Sequence, residues 1–365
     1  MVVKSNTLPV WWLRVVAVFV VLTLAVGGAT RLTDSGLSIT QWEPILGVVP
    51  PLSEAAWQEA LALYRQIPEY QLINKGMSLS EFQVIYLWEW GHRLVARTIG
   101  LVFVLHFAFF LVRRQLPGWF KPWGVLLLGL GGLQGFIGWW MVKSGLTERV
   151  DVSQYRLAVH LTLACIILAL TVWLSERLGG RAGTVAAPAL VRMTAIALPF
   201  AILAQIALGA LVAGIDAGLA SDTWPLMFGE VIPPYMASMQ PLWINWFENP
   251  LAVQFNHRVG GYLVLLLVAV HAAAAHRARI GGPVPAILLA LVFAQAASGV
   301  AVVMLHVPPV LAGTHQVMAA VMLWVAVVHA ARLAPTPARA LWQKTSGAKA
   351  EVKDTIARAG ASQTG

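Results

Sequence analysis

Charge is what this sequence has least of. Only 11% of its 365 residues are charged, whereas 58% are hydrophobic, a balance that excludes an ordinary soluble domain. Several apolar runs approach the roughly 20 residues needed to cross a bilayer. Cysteine is nearly absent. The single Cys165 lies inside an apolar run, which excludes an intramolecular disulfide and suits a small buried side chain. A signal-peptide cleavage site is also lacking. The first apolar run, Trp11 to Ala29, has no small-x-small site after it and is too long for a typical signal core, so we expect it to remain as a span. The net charge of +9 does not point to nucleic acid, because the basic residues sit in short connections and the tail, as orientation signals do.

What is present is a set of eight hydrophobic spans, at about 11–30, 87–112, 122–142, 156–175, 192–213, 255–275, 284–305 and 312–332. The expected fold is an all-α polytopic membrane protein. Arg113, Arg114 and Lys121 follow span two; Arg177 and Arg181 follow span four; Arg277 and Arg279 follow span six. Arg339, Lys344, Lys349, Lys353 and Arg358 crowd the tail. Basic connections stay on the cytoplasmic or matrix side, which places both termini there. The opposite face receives two long loops, about 31–86 and 214–254, containing Trp42, Trp57, Trp224, Trp243 and Trp246. Those tryptophans suit an interfacial belt better than a lid over a pocket. The segment 336–365 is polar and is expected to be disordered.

The chain repeats itself. Asp34-Ser35-Gly36-Leu37 matches Asp216-Ala217-Gly218-Leu219, with Trp42 and Trp224 equally spaced beyond; Gln134 and Gly138 match Gln295 and Gly299; His160 matches His315. His92-Arg93 and His257-Arg258 each begin a hydrophobic run. Four spans per copy is an even number, so we expect two similarly oriented four-helix bundles, 1–180 and 181–335, related by a pseudo-two-fold axis along the membrane normal. Gly131, Gly135 and Gly138 are expected to serve close helix packing.

Nine histidines occur, and their depths differ. His92, His160, His257 and His315 fall near the loop-side ends of the four even-numbered spans. His106, His271 and His329 each follow fourteen residues later, about 21 Å deeper along a helix. His276 belongs to a loop, and His306 closes span seven. Imidazole inside a membrane needs a partner or a ligand. A lone histidine there is best read as an interhelical hydrogen bond. The repeated tetrad instead suggests two haem sites, His92 with His160 and His257 with His315, each iron ligated from opposite walls of a bundle. Zinc is disfavoured, because no cysteine or carboxylate companion has suitable spacing. Arg93 and Arg258 are candidates for haem propionate contacts, or snorkel to the interface.

These residues resemble the haem A synthase family, in its mitochondrial and proteobacterial branch. The resemblance rests on Gly27 through Ser38, the segment Trp42 to Pro51, Glu89-Trp90-Gly91-His92-Arg93, His160, Asn256-His257-Arg258 and Gly313-Thr314-His315. It implies an eight-helix enzyme of a bacterial cell membrane or the mitochondrial inner membrane that oxidises the C8 methyl of haem O to the formyl of haem A for terminal oxidases. It further implies a haem b cofactor on His257 and His315, substrate near His92 and His160, and a functional glutamate at Glu89. Haem O synthase and cytochrome oxidase assembly factors are the protein partners it suggests, with an electron acceptor that no motif identifies. One branch carries a cysteine pair in the outer loops; this chain lacks it, so no redox role of that pair carries over.

The residues reach the same division independently. Glu89 lies three positions before His92 on one helix face, and Gln254 holds the matching place before His257. A carboxylate takes a proton or stabilises positive charge, and an amide does neither well. Chemistry is therefore expected in the first copy and cofactor holding in the second, with water attacking an electron-poor methyl carbon. A bis-histidine dihaem electron carrier is the competing reading, and a transporter built on parallel repeats is a third.

Overall fold

The computed structural model describes residues 7–43, 46–147 and 149–334. The tail, with its expected disorder and its five basic residues, lies outside them. Eight helices long and apolar enough to cross a membrane are present: α1 (Leu8–Leu32), α2 (Leu79–Val112), α3 (Lys121–Lys143), α4 (Gln154–Leu178), α5 (Ala189–Gly214), α6 (Pro250–Arg277), α7 (Val284–Met304) and α8 (Pro309–Leu333). No strand occurs among the described residues beyond an isolated bridge between Met227 and Glu230.

Local chemistry sets the helix starts. Proline occupies the first turn of α1, α3, α6, α7 and α8, where its missing N–H has no partner to lose. Ser78 and Glu81 form a reciprocal capping box on α2. That helix consequently begins two turns before the span read from hydropathy. Asn249 accepts from the Leu251 and Ala252 amides at the start of α6. Matching strain ends the first helix of each copy: Asp34 and Asp216 both adopt left-handed backbone, with φ of 48° and 50°, which aspartate tolerates better than bulky residues.

The largest buried cluster is continuous through the molecule. It joins Ala17, Val20 and Leu24 of α1 and Leu168 and Val172 of α4 to Leu198, Ile202, Val264, Val268, Leu288, Val292 and Leu323. α1, α4, α5 and α8 pack on one another across the middle, while α2 and α3 flank one side and α6 and α7 the other. Cys165 is buried in this cluster. Gly131 and Gly135 do not serve helix packing: a Cβ on either meets nothing within 4 Å. Both glycines lie on exposed surface of α3, a helix with few buried residues.

The first long loop is a folded cap. Its helices Glu54–Tyr64 and Pro68–Leu72 press Leu61, Tyr64 and Ile67 onto Phe82 of α2 and Val152. Trp57 joins this cap, 5.0 Å from Tyr86 between ring centroids, and so departs from the expected belt. Trp42, Trp224, Trp243 and Trp246 remain exposed.

Candidate functional site

The four histidines stand at one level, at the end of the bundle that carries the long loops. His160 and His315 are each the seventh residue of their helix, and His257 is the eighth. His92 lies deeper in sequence only because α2 projects beyond the bundle. Each ring rests against a glycine on a neighbouring helix. A Cβ on Gly27 would stand 2.6 Å from His92 Cε1; on Gly138, 3.0 Å from His160; on Gly209, 3.0 Å from His257; on Gly299, 2.9 Å from His315. In all four cases the glycine lies five residues before its helix ends. A Cβ at Gly27 or Gly299 would be closer than real Cβ atoms come, and one at Gly138 or Gly209 would press the ring to give way, so glycine is what leaves each ring its room.

Glutamine holds three of the four. Gln205 Nε2 lies 3.0 Å from His257 Nδ1 and donates to the His257 carbonyl at 2.8 Å. Gln134 does the same for His160, at 3.1 Å to Nδ1 and 3.0 Å to the carbonyl. Gln295 donates to the His315 carbonyl at 3.0 Å and lies 3.3 Å from its Nε2, while Ser298 Oγ is 2.9 Å from Nδ1.

The donor set fits bis-histidine haem. The rings of His257 and His315 have centroids 6.4 Å apart. Two imidazoles on opposite sides of one iron need about 6.3 Å, from metal–nitrogen bonds of about 2 Å and roughly 1.2 Å from Nε2 to each ring centre. All four rings are only partly buried, whereas His271 and His329 are sealed in the interior. An imidazole on iron through Nε2 presents Nδ1–H, which needs an acceptor. The amide oxygens of Gln134 and Gln205 are buried without a partner among the described residues, so a small rotation that brings either to Nδ1–H supplies that acceptor. At His315 the Ser298 hydroxyl, 2.9 Å from Nδ1, can accept instead.

Glu89 is buried and anchors the loop after α1. Its Oε2 accepts from Ser38 Oγ at 2.7 Å and from the Ile39 amide at 2.8 Å; its Oε1 accepts from Arg93 at 2.6 and 3.1 Å. Arg93 also donates to the Ile39 and Gln41 carbonyls. The second copy repeats this with an amide. Gln254 Nε2 donates to the Gly218 and Ser221 carbonyls, and Arg258 donates to the Ser221 carbonyl at 3.3 Å. Arg93 thus has its guanidinium engaged by Glu89 and the loop, while Arg258 keeps a buried Nη1 without a partner among the described residues.

The other histidines are elsewhere. His271 Nε2 meets His329 Nε2 at 2.9 Å, and Thr194 Oγ1 meets His271 Nδ1 at 2.9 Å. His106 turns Nδ1 to its own helix, at the Val102 carbonyl. His306 faces Asp222 at 3.4 Å, and His276 is exposed.

Residues 10–327 match a family described as cytochrome oxidase assembly protein. The chain belongs to the haem A synthase family. A heme A synthase of Chelativorans sp. (strain BNC1) is 51% identical over 342 residues, covering 92% of this chain and 91% of its own. The heme A synthase of Agrobacterium fabrum is 49% identical over 321 residues, covering 87% and 88%. That of Parvibaculum lavamentivorans is 49% identical over 324 residues, covering 89% and 94%. Three features of the site escaped the motif reading: Gln205, the ring-backing role of Gly27 and Gly209, and the anchoring of Glu89 by Ser38 and Ile39. The spacing that pairs Asp34 with Asp216 also pairs Gly27 with Gly209 and Thr23 with Gln205, so the repeat carried the signal for the first two. The third is a loop fold with no periodicity to betray it.

Proposed function

We propose that this protein oxidises the C8 methyl of haem O to the formyl group of haem A, with substrate between His92 and His160 and haem b between His257 and His315. The observation that carries the reading is one level of four glycine-backed histidines, with a carboxylate beside one pair and an amide beside the other. The relatives' shared name favours this over a dihaem electron carrier. Residues 1–180 form the substrate unit and 181–335 the cofactor unit. The long-loop end, with both sites, faces away from the cytoplasm or matrix, because Arg113, Arg114, Arg177, Arg181, Arg277 and Arg279 gather at the other end.

Haem b, when bound, supplies an electron carrier beside the substrate. The substrate methyl and one water give the formyl group, four protons and four electrons in two two-electron steps, the electrons leaving to a membrane electron acceptor outside this chain. Glu89 acts as base at Oε2, taking the water proton while the Ser38 hydroxyl turns from donor to acceptor. Its Oε1 stays against Arg93, so the carboxylate keeps its place as it works. Haem O synthase and oxidase assembly factors are the partners this reaction calls for.

Gln254 anchors its loop by donating to carbonyls, whereas Glu89 anchors by accepting. Glu89→Gln keeps one oxygen for Ser38 and Ile39 but turns an NH2 toward Arg93, so protection of the 38–43 backbone is measured beside turnover to separate chemistry from anchoring. We expect haem A formation to fall by about a hundredfold or more, with the haem b spectrum unchanged. Turnover in labelled water should place the label in the formyl group. Retained activity in Glu89→Gln makes the glutamate structural, and formyl oxygen drawn from dioxygen removes the water mechanism.

A further inference from the structure

Three of the four proposed iron ligands are stapled by a glutamine, and one is not. Gln134, Gln205 and Gln295 each stand four residues before the glycine that backs their histidine. Each donates to the main-chain carbonyl of that histidine; Gln134 and Gln205 also meet the ring at Nδ1, while at His315 Gln295 lies 3.3 Å from Nε2 and Ser298 meets Nδ1. This double contact fixes both the rotamer of the ligand and the height of its helix. In α1 the same position, four residues before Gly27, is Thr23. Its hydroxyl turns back to the Phe19 carbonyl at 2.8 Å within its own helix. What α1 offers the His92 ring there is the Thr23 backbone, and His92 Nδ1 is buried with no side-chain partner among the described residues.

The missing staple is not a consequence of wider spacing. A Cβ on Gly27 would come to 2.6 Å from His92, closer than the 3.0 Å from Gly209 to His257. α1 thus approaches the His92 ring at least as closely as α5 approaches that of His257, so what differs is the residue at position 23.

We infer that Thr23 is the positioning residue that makes the first site releasable, by leaving His92 as an axial ligand without a side-chain support, while the stapled pair His257 and His315 retains its haem. This rests on the assignment of substrate and cofactor sites above and deepens it. A substrate site must let go of its product every turnover; a cofactor site must not. Partners that orient a ligating histidine strengthen metal retention, typically by 10- to 100-fold. Placing the one ligand that has a backbone contact but no side-chain staple on the substrate side puts the weaker hold where exchange is needed.

The test uses the full-length protein loaded with haem O, with apomyoglobin as haem acceptor and released haems separated by mass. In Thr23→Gln the release of haem O should slow by about tenfold, with haem b release unchanged. The reciprocal Gln205→Thr should speed haem b release by about tenfold and leave haem O release alone. Thr23→Ser should behave as the parent. The low-spin EPR signal of the first haem should shift in Thr23→Gln, a change that a generally destabilised fold would not confine to one site. Parental release of both haems from both Thr23→Gln and Gln205→Thr overturns the inference. His92→Ala that still holds haem O overturns the site assignment, and the inference with it.

Discussion

At the scale of single residues the site is defined by what is absent from it, a side chain at four positions. Gly27 and Gly131 are both membrane glycines in apolar helices, yet only Gly27 backs a ring, whereas Gly131 faces open space. Gly27→Ala should therefore displace the His92 imidazole at a cost of about 1–3 kcal/mol, read as a roughly 5- to 150-fold weaker hold on haem O. Gly131→Ala should titrate as the parent. Equal haem O affinity in the two variants contradicts the packing argument. The proposed ligand histidines stand out in the sequence because repetition separates them from His276 and His306, and depth separates them from His106, His271 and His329. Arg93 was harder to read, because its carbonyl and carboxylate partners lie on a loop distant in sequence.

At the scale of elements, hydropathy located every span and misjudged what precedes the second. The turns from Leu79 to Tyr86 are mixed polar and apolar, so a membrane window passes over them; their apolar face packs under the loop cap at Phe82 and Tyr86. Within that cap Glu69 is buried and hydrogen-bonded to Tyr64, and burial pushes its carboxyl up to about 8. The folded cap therefore binds a proton more tightly than the unfolded segment, whose carboxyl titrates at 4.5. Cap stability is full below that value and falls as pH rises through about 8. Hydrogen-exchange protection over residues 54–72, taken relative to the base-catalysed intrinsic rate, should fall between pH 5 and pH 8, and Glu69→Gln should remove most of that change. Protection that does not vary with pH in the parent contradicts this reading.

At the scale of the whole molecule, the repeat announced two related groups of four helices, but not that the buried core runs through both. Sequence periodicity reports what recurs within a copy and is blind to contacts between copies. One such contact is ionic. Glu176 of α4 is buried and takes Arg332 of α8 at 2.9 Å, Arg14 of α1 at 3.4 Å and Arg181 at 3.7 Å. At the opposite end Arg31 gathers Asp34, Asp151 and Asp216 at 3.3, 3.5 and 3.2 Å. Both clusters tie the first copy to the second. Glu176→Gln leaves three guanidinium groups without their shared carboxylate and should lower stability by about 1.5–3 kcal/mol, measured as a reduced Tm in detergent. An unchanged Tm would mean that hydration of the partly exposed arginines offsets the loss.

On the proposed reading the reaction needs both copies at once, one for substrate and one for the electron path. The haem inventory of purified protein, resolved by mass in the parent and in His257→Ala, tests this most directly. The account predicts haem b with haem O or haem A in the parent, and loss of haem b alone from the variant, which keeps haem O and makes no haem A. Haem b retained by His257→Ala, or haem O lost from it in equal measure, would contradict the assignment of two sites to two histidine pairs.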